Sequence, residues 1–461
     1  MIDQGQIDLL VQEVMRKLEK TPSPQGSGYG VFEEMEDAIQ AAVIAHKELS
    51  NYGIVQRNRV IQAIRDTAVA NAEHLARMAV EETGMGRFED KITKNILAAT
   101  KTPGTEDLET RAWSGDEGVT TVDMLPFGVI GAITPVTNPS ETIINNGIGM
   151  IAAGNSVVFS PHPSAKKTSL ETVRLLNQAA MEVGGPENLL VTVAEPTLAK
   201  AEYMMKHKKI DLLVATGGPG VVKAVLSSGK KAIGAGAGNP PAVVDETADI
   251  PKAAQDIITG CSFDNNLPCI AEKEVIVVES VAKELIQCMQ KSGGYLIQGD
   301  DLRRLEELLI QGKTVNKDFI GKDAQFILQG IGIEVTPEVK AVIMVVNKTH
   351  PFVVKELMMP VLPIVKVRNV WEAIDMGVEV EHGFRHTAVM HSKNIDHLRA
   401  FAKAIKTTIF VKNAPSYAGI GAGGEGHATF TIAGPTGEGL TSAKDFARQR
   451  RCVLAGGLTI P

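Results

Sequence analysis

The chain has 461 residues, enough for two or three domains, and its 47 Lys+Arg against 54 Asp+Glu give a formal net charge of -7, which excludes a general nucleic-acid binder built on a basic face. Hydrophobic residues at 44% and charged residues at 22% exclude a disordered chain, and aromatics at 4% exclude a stacking platform for single-stranded nucleic acid. No apolar run reaches the roughly 18–20 residues of a membrane span, no signal peptide opens the chain, and four cysteines make no disulfide framework, so a soluble protein of a reducing cytoplasm is expected.

The first twenty residues stand apart. Ile7, Leu10, Val11, Val14 and Leu18 fall at the spacing of one helical face, with Asp8, Gln12, Glu13, Arg16, Lys17 and Glu19 mostly opposite. A helix this short needs something to bury its stripe, either its own domain or a partner. The Pro/Gly/Ser stretch from Thr21 to Gly30 reads as a linker.

Two long helices are expected over Phe32–Leu49 and Val55–Glu82, closed by Gly84 and Gly86. Asp123–Ile133 reads as strand. From Ser156 the pattern alternates: strand to Ser160, helix Ser164–Val183, strand Leu189–Ala194, helix Leu198–Lys206, strand Ile210–Ala215, a turn Thr216-Gly-Gly-Pro-Gly220 and a helix to about Leu226. Such alternation builds a parallel sheet with helices on both faces, and its ligands sit at the carboxyl ends of the strands. A second set begins near Pro251, with a helix to Gly260, strand Glu274–Glu279 and a helix to Gln290, and alternation continues to about Val411. The tail ends in a strand at Arg450–Leu454.

Three features bear on chemistry. In the Thr216–Gly220 turn, glycines between a strand and a helix start let a phosphate reach free N–H groups. Gly419-Ile-Gly-Ala-Gly-Gly424 fits the letters of a dinucleotide motif, but no helical period follows it, so it reads as a turn-rich loop. Of the cysteines, Cys261, Cys288 and Cys452 read as small packing residues. Cys269 lies in a loop with Asp264, Asn265, Asn266 and Pro268, between a helix and a strand, where a scaffold positions nucleophiles. His382 and His386 are four apart, but Gly383 between them weakens the helix that a metal pair would need, so no metal site is assigned.

These pieces resemble the CoA-acylating aldehyde dehydrogenases, above all the propionaldehyde dehydrogenases of propanediol-utilising bacterial microcompartments. The acetaldehyde dehydrogenases of ethanolamine-utilising compartments are near relatives. The resemblance spans the chain through Glu82-Thr-Gly-Met-Gly86, Thr137-Asn-Pro139, Ala153-Gly-Asn155, Gly234-Ala-Gly-Ala-Gly-Asn-Pro-Pro241, Ser262-Phe-Asp-Asn-Asn-Leu-Pro-Cys269, Glu356-Leu-Met-Met-Pro360 and Gly423-Gly-Glu-Gly426. It implies an α/β fold with a Rossmann-type cofactor domain over 31–238, an α/β catalytic domain over 239–424, and oligomerisation elements in a hairpin near 108–125 and in 425–461. It also implies that Cys269 attacks a short-chain aldehyde, propionaldehyde foremost, and that Asn138 holds the oxyanion. In the hydrolytic relatives this Asn stands two residues before the proline; here it stands one before Pro139, and Thr137 takes the earlier place. The implied cofactor site for NAD comprises Thr137, Ser160, Thr216, Gly217, Gly218, Gly236 and Glu356, with Ser160 where the hydrolytic relatives have an adenosine-binding lysine.

Where those relatives carry a general-base glutamate, this chain has Gly234-Ala-Gly-Ala-Gly238, so the thiol of coenzyme A, rather than water, is expected to take the acyl group. The resemblance further reads residues 1–20 as a targeting helix for microcompartment shell proteins, which would put the enzyme inside a compartment of the cytoplasm as a homo-oligomer, with no nucleic-acid or membrane partner. The rival readings are an acetaldehyde-specific acylating enzyme, a hydrolytic aldehyde dehydrogenase, which the missing glutamate opposes, and a catalytically idle scaffold, which would have no use for Cys269, Glu356 and the glycine turns.

Overall fold

The computed structural model describes residues 26–456; the amphipathic segment 1–20 and the first half of the linker lie outside them, while the second half of the linker contributes the short strand Gly26–Gly28. The first sheet has seven strands in the order Gly26–Gly28, Val31–Phe32, Leu190–Val193, Ser156–Pro161, Val129–Thr134, Leu212–Thr216 and Ala232–Ala235. All pairs are parallel except the first. Every residue of Ser156–Pro161 is buried, as expected of an apolar strand covered by helices on both faces. The chain leaves Val129–Thr134 toward one edge and later returns to its other side at Leu212–Thr216. This order reversal opens a crevice at the carboxyl ends of the strands.

The second sheet, also of seven strands and parallel throughout, runs Gly294–Leu296, Ala341–Val345, Val361–Val367, Glu274–Val278, Pro241–Val244, Thr387–His391 and Ile409–Lys412. A third, antiparallel sheet joins Arg111–Gly115, Gly118–Pro126 and Ala447–Ala455. All of Arg111–Gly115 is exposed, and Trp113 retains 53% of its accessible surface.

The helix Pro139–Ala152 is buried along its whole length. Pro139 suits its first turn, because an N–H there would have no partner inside the helix. Its buried amides pin the C-terminal segment to the body. Asn145 accepts from the Phe430 N–H at 3.0 Å, and Asn146 accepts from the Thr431 hydroxyl at 3.0 Å.

Three local expectations change. Phe32 does not start a helix: Val31–Phe32 pair with Thr192–Val193 at the sheet edge, and the helix begins at Met35. The long second helix is two, Ile54–Ala70 and Ala72–Thr83. They break at Asn71, whose side-chain amide donates to the Thr67 carbonyl at 2.8 Å and so caps the first. The strand expected over Asp123–Ile133 is split at Gly128, φ 137°, because Gly118–Pro126 and Val129–Thr134 serve different sheets. His382 and His386 share no helix. The helix ends at Val380, His382 has φ 57°, and Glu381 accepts the His386 N–H at 2.9 Å, which holds the following residues as a turn.

Candidate active site

Cys269 follows the helix Ile250–Ser262 and a tight turn at Phe263–Asn266, and precedes the strand Glu274–Val278. Asp264, Asn265 and Asn266 all have left-handed backbone, with φ of 46°, 53° and 64°. Asp and Asn bear this conformation better than other side chains, yet three in a row persist only where the surroundings impose it. Here they do. The Asp264 carboxylate accepts from the Arg87 N–H at 2.7 Å, from Lys91 at 3.1 Å and from Lys94 at 2.6 Å. The Asn265 amide donates to the Gly321 carbonyl at 2.9 Å. The Asn266 amide donates to the Cys261 and Glu272 carbonyls at 2.9 and 3.0 Å. Gly86 lies so close that a Cβ there would collide with the Asp264 carboxylate.

The loop faces Asn138, which precedes the helix Pro139–Ala152. Lys94, fully buried, donates to Asn138 Oδ1 at 2.6 Å and pairs with Glu141 at 2.9 Å. Asn138 Nδ2 donates to the Thr137 hydroxyl at 3.2 Å, and the Thr137 carbonyl accepts from Lys91 at 3.2 Å. Burial alone would push the Asp264 carboxyl up, but the two ammonium groups outweigh it and hold it below its ordinary value.

A third arm comes from Gly238 and Glu356. The Gly238 N–H donates to the Glu356 carboxylate, and a Cβ on Gly238 would stand 2.9 Å from both the Cys269 carbonyl and the His386 ring. Lys273 donates to the Asn266 carbonyl at 2.9 Å and to its side-chain oxygen at 2.6 Å, within electrostatic reach of Cys269, Glu356 and His386. Burial, and then the charge of Glu356, push the Cys269 thiol up to about 12, with Lys273 opposing. Burial also raises Glu356, against Lys273 and Gly238, and pushes His386 down to about 4. His386 is therefore a neutral imidazole at pH 7. Its Nδ1 meets the Thr387 hydroxyl at 2.9 Å, and its Nε2 has no partner among the described residues.

The remaining expected residues lie at the carboxyl ends of the first sheet. Ser160 is buried near the end of its strand. Thr216 closes the strand Leu212–Thr216 and meets the Thr431 hydroxyl at 2.8 Å. Gly218 caps the helix Pro219–Leu226, and a Cβ added at Gly217, Gly218 or Gly220 would meet no atom within 4 Å. That open turn at a helix start fits the diphosphate of a dinucleotide. Gly236 faces Pro435, which a Cβ there would approach to 3.8 Å. The structure thus gathers Cys269, Asn138, Thr137 and Glu356 around the cysteine loop, and Ser160, Thr216, Gly217, Gly218 and Gly236 along the sheet end. Lys91, Lys94 and Lys273 are not singled out by the sequence, and His386 is weighed there only as half of a metal pair.

A Rossmann-type sheet, a strained cysteine loop at the amino end of a second parallel sheet and an open glycine turn define a cofactor-dependent enzyme with a thiol nucleophile. The chain belongs to the aldehyde dehydrogenase family, whose description, "Aldehyde dehydrogenase family", matches residues 29–436. It is 48% identical over 460 residues, 99% of each chain, to the propanal dehydrogenase (CoA-propanoylating) of Salmonella typhimurium. The Rhodopseudomonas palustris propionaldehyde dehydrogenase, solved with bound CoA and an acylated cysteine, superposes with a TM-score of 0.93 at 57% identity, covering 94% of this chain and 100% of that one. The propionaldehyde dehydrogenase of the Clostridium phytofermentans fucose utilisation microcompartment superposes with a TM-score of 0.93 at 56% identity and the same coverage.

The electrostatics give one expected result for the thiol. A group with a pKa of about 12 is only about one part in 10⁵ thiolate at pH 7. Alkylation of Cys269 by iodoacetamide, followed by peptide mass spectrometry, should therefore climb from pH 7 to 10 without levelling. Glu356→Gln removes a negative charge that raises the thiol, so it should speed alkylation several-fold at pH 8. A plateau near pH 9, or slower alkylation in Glu356→Gln, would contradict this account.

Proposed function

We propose that the chain oxidises a short-chain aldehyde, propionaldehyde foremost, to its acyl-CoA through a thioester on Cys269, using NAD and coenzyme A. The observation that carries this reading is the cysteine held on a rigid loop beside a segment, Gly234–Gly238, that has no carboxylate to activate water. The Cys269 thiol loses its proton to solvent, and its sulfur adds to the aldehyde carbonyl carbon. The resulting oxyanion is received by the free N–H of Asn138 Nδ2 and by backbone N–H at Cys269. NAD, when bound along Thr137, Ser160, Thr216, Gly217, Gly218 and Gly236 with Glu356 at its ribose, supplies the hydride acceptor. Collapse of the thiohemiacetal leaves an acyl thioester, which the thiolate of coenzyme A attacks, releasing Cys269. The test is product analysis with propionaldehyde, NAD and CoA. Propionyl-CoA in step with NADH is expected; free propionate formed at the same rate without CoA would overturn the reading.

Two further parts of the reading concern partners. The exposed three-stranded sheet, with Trp113, Val453 and Leu454 at 53%, 60% and 48% exposure, is proposed to be covered by a second copy of the chain, since unpaired edges and apolar faces of this kind are seldom left open. Residues 1–20 are proposed to bind a shell protein and bring the enzyme into a microcompartment. Each fully buried side chain of the Ile7, Leu10, Val11, Val14 and Leu18 stripe contributes about 1.5–3 kcal/mol, enough together to outweigh ordering costs. Deleting residues 1–20 should leave specific activity and oligomeric state unchanged and abolish co-purification with shell proteins. A truncated enzyme that dissociates or unfolds would make the segment part of the body instead.

A further inference from the structure

Lys94 is buried completely in a place where a lysine needs a reason to be. Its ammonium reaches three oxygens on two segments: Asn138 Oδ1 at 2.6 Å and Glu141 Oε1 at 2.9 Å at the start of the helix Pro139–Ala152, and Asp264 Oδ2 at 2.6 Å on the cysteine loop. From this geometry we propose that Lys94 is the positioning residue of the oxyanion site: it fixes which end of the Asn138 amide faces the reacting carbonyl. The inference rests on the reading of Asn138 as oxyanion donor given above.

The Asn138 amide has two ends of nearly equal size and opposite polarity. Rotated by half a turn it would set its NH₂ against the ammonium, donor against donor. Lys94 forbids that state, so Nδ2 points away from it. One N–H of Nδ2 goes to the Thr137 hydroxyl at 3.2 Å, and the other remains for substrate. An ammonium on the amide oxygen also draws electron density from the nitrogen and strengthens its N–H as a donor. Lys94 does not act as a bare cation. Lys91 and Lys94 are matched by Asp264 and Glu141, so the charge of Lys94 acts on Cys269 only behind burial, Glu356 and Lys273, and its main effect passes through Asn138.

Lys94 also holds Asp264 and hence the cysteine loop, so a purely structural role must be told apart. Two reactions of Cys269 do this. Addition to an aldehyde generates an oxyanion; alkylation by iodoacetamide does not. In Lys94→Met, the first-turnover rate of NADH formation at saturating propionaldehyde and NAD should fall about 10–100-fold, the range for a misplaced oxyanion donor, while the alkylation rate of Cys269 stays within about twofold of the parent. Lys94→Gln keeps a neutral N–H for Asn138 and should lose less, at least about threefold; if Lys94→Met does not fold, this variant decides on the same two readouts. In an Asn138→Ala background, Lys94→Met should cost little more, since the group it positions is gone. Parent-like first turnovers in the Lys94 variants, or alkylation that falls in step with NADH formation, would overturn the proposal. A parent-like rate in Asn138→Ala alone would instead remove the reading of Asn138 on which it rests.

Discussion

Cys269→Ala should abolish NADH formation with aldehyde, NAD and CoA, a loss of at least about 10⁴-fold, because no other group can form the covalent intermediate. Cys261→Ala, Cys288→Ala and Cys452→Ala should keep most of the parent rate. The environments of the four thiols differ enough to make this a sharp test. Cys261 is fully buried within the helix Ile250–Ser262, whereas Cys269 keeps part of its surface open. The Cys261 sulfur meets the Asn266 amide at 3.5 Å, so its loss should lower thermal stability rather than turnover. Cys288 is half-buried on the helix Glu279–Lys291, and Cys452 is exposed on the strand Ala447–Ala455, within the sheet remote from the cysteine loop. Equal loss of activity in Cys452→Ala and Cys269→Ala would remove the proposed nucleophile.

The parts of this site that a sequence shows are those written locally. Cys269 announces itself by lying between a helical and a strand pattern, and the turn Thr216–Gly220 by glycines between a strand and a helix start. The parts that stay hidden are made by pairs distant along the chain. Lys94 meets Asn138 across 44 positions and Asp264 across 170. In one dimension it is an ordinary lysine in a stretch to which the local pattern assigns no role. Its burial follows from the packing of the helix Phe88–Lys101 onto Pro139–Ala152 and the cysteine loop, which no local period encodes. The same holds for Phe32, taken from the helix by strand pairing with residues 192–193, and for Asn71, whose amide ends a helix that the apolar period would have carried on. His382 and His386 make a related point: their spacing of four, which Gly383 argues against as a helix face, spans a turn where Glu381 gathers the following N–H groups.

With propionaldehyde and NAD but no CoA, the enzyme should release about one NADH per active site and then slow by about 10²–10⁴-fold, the usual worth of general-base help. The physical cause is the want of a base matched to water. Gly234, Ala235, Gly236, Ala237 and Gly238 carry no proton acceptor on their side chains. Four carboxylates near the cysteine loop are otherwise engaged, and Glu274, with neither oxygen hydrogen-bonded among the described residues, is pushed strongly toward its neutral form by burial. Asp264 and Glu141 are paired with lysines, Glu356 takes the Gly238 N–H, and Glu272 accepts from the Ser416 N–H and hydroxyl at 2.8 Å each. His386 Nε2 has no partner among the described residues, and burial favours its neutral form. The thiol of coenzyme A, with an ordinary pKa near 8.5 against roughly 15.7 for water, reaches its nucleophilic anion without such help. During the stall, the acyl group should be found on the Cys269 peptide by mass spectrometry, and adding CoA should release it as acyl-CoA within one turnover. Steady NADH production without CoA at the CoA-supplemented rate would show that water reaches the thioester with help, and the hydrolytic reading would replace this one.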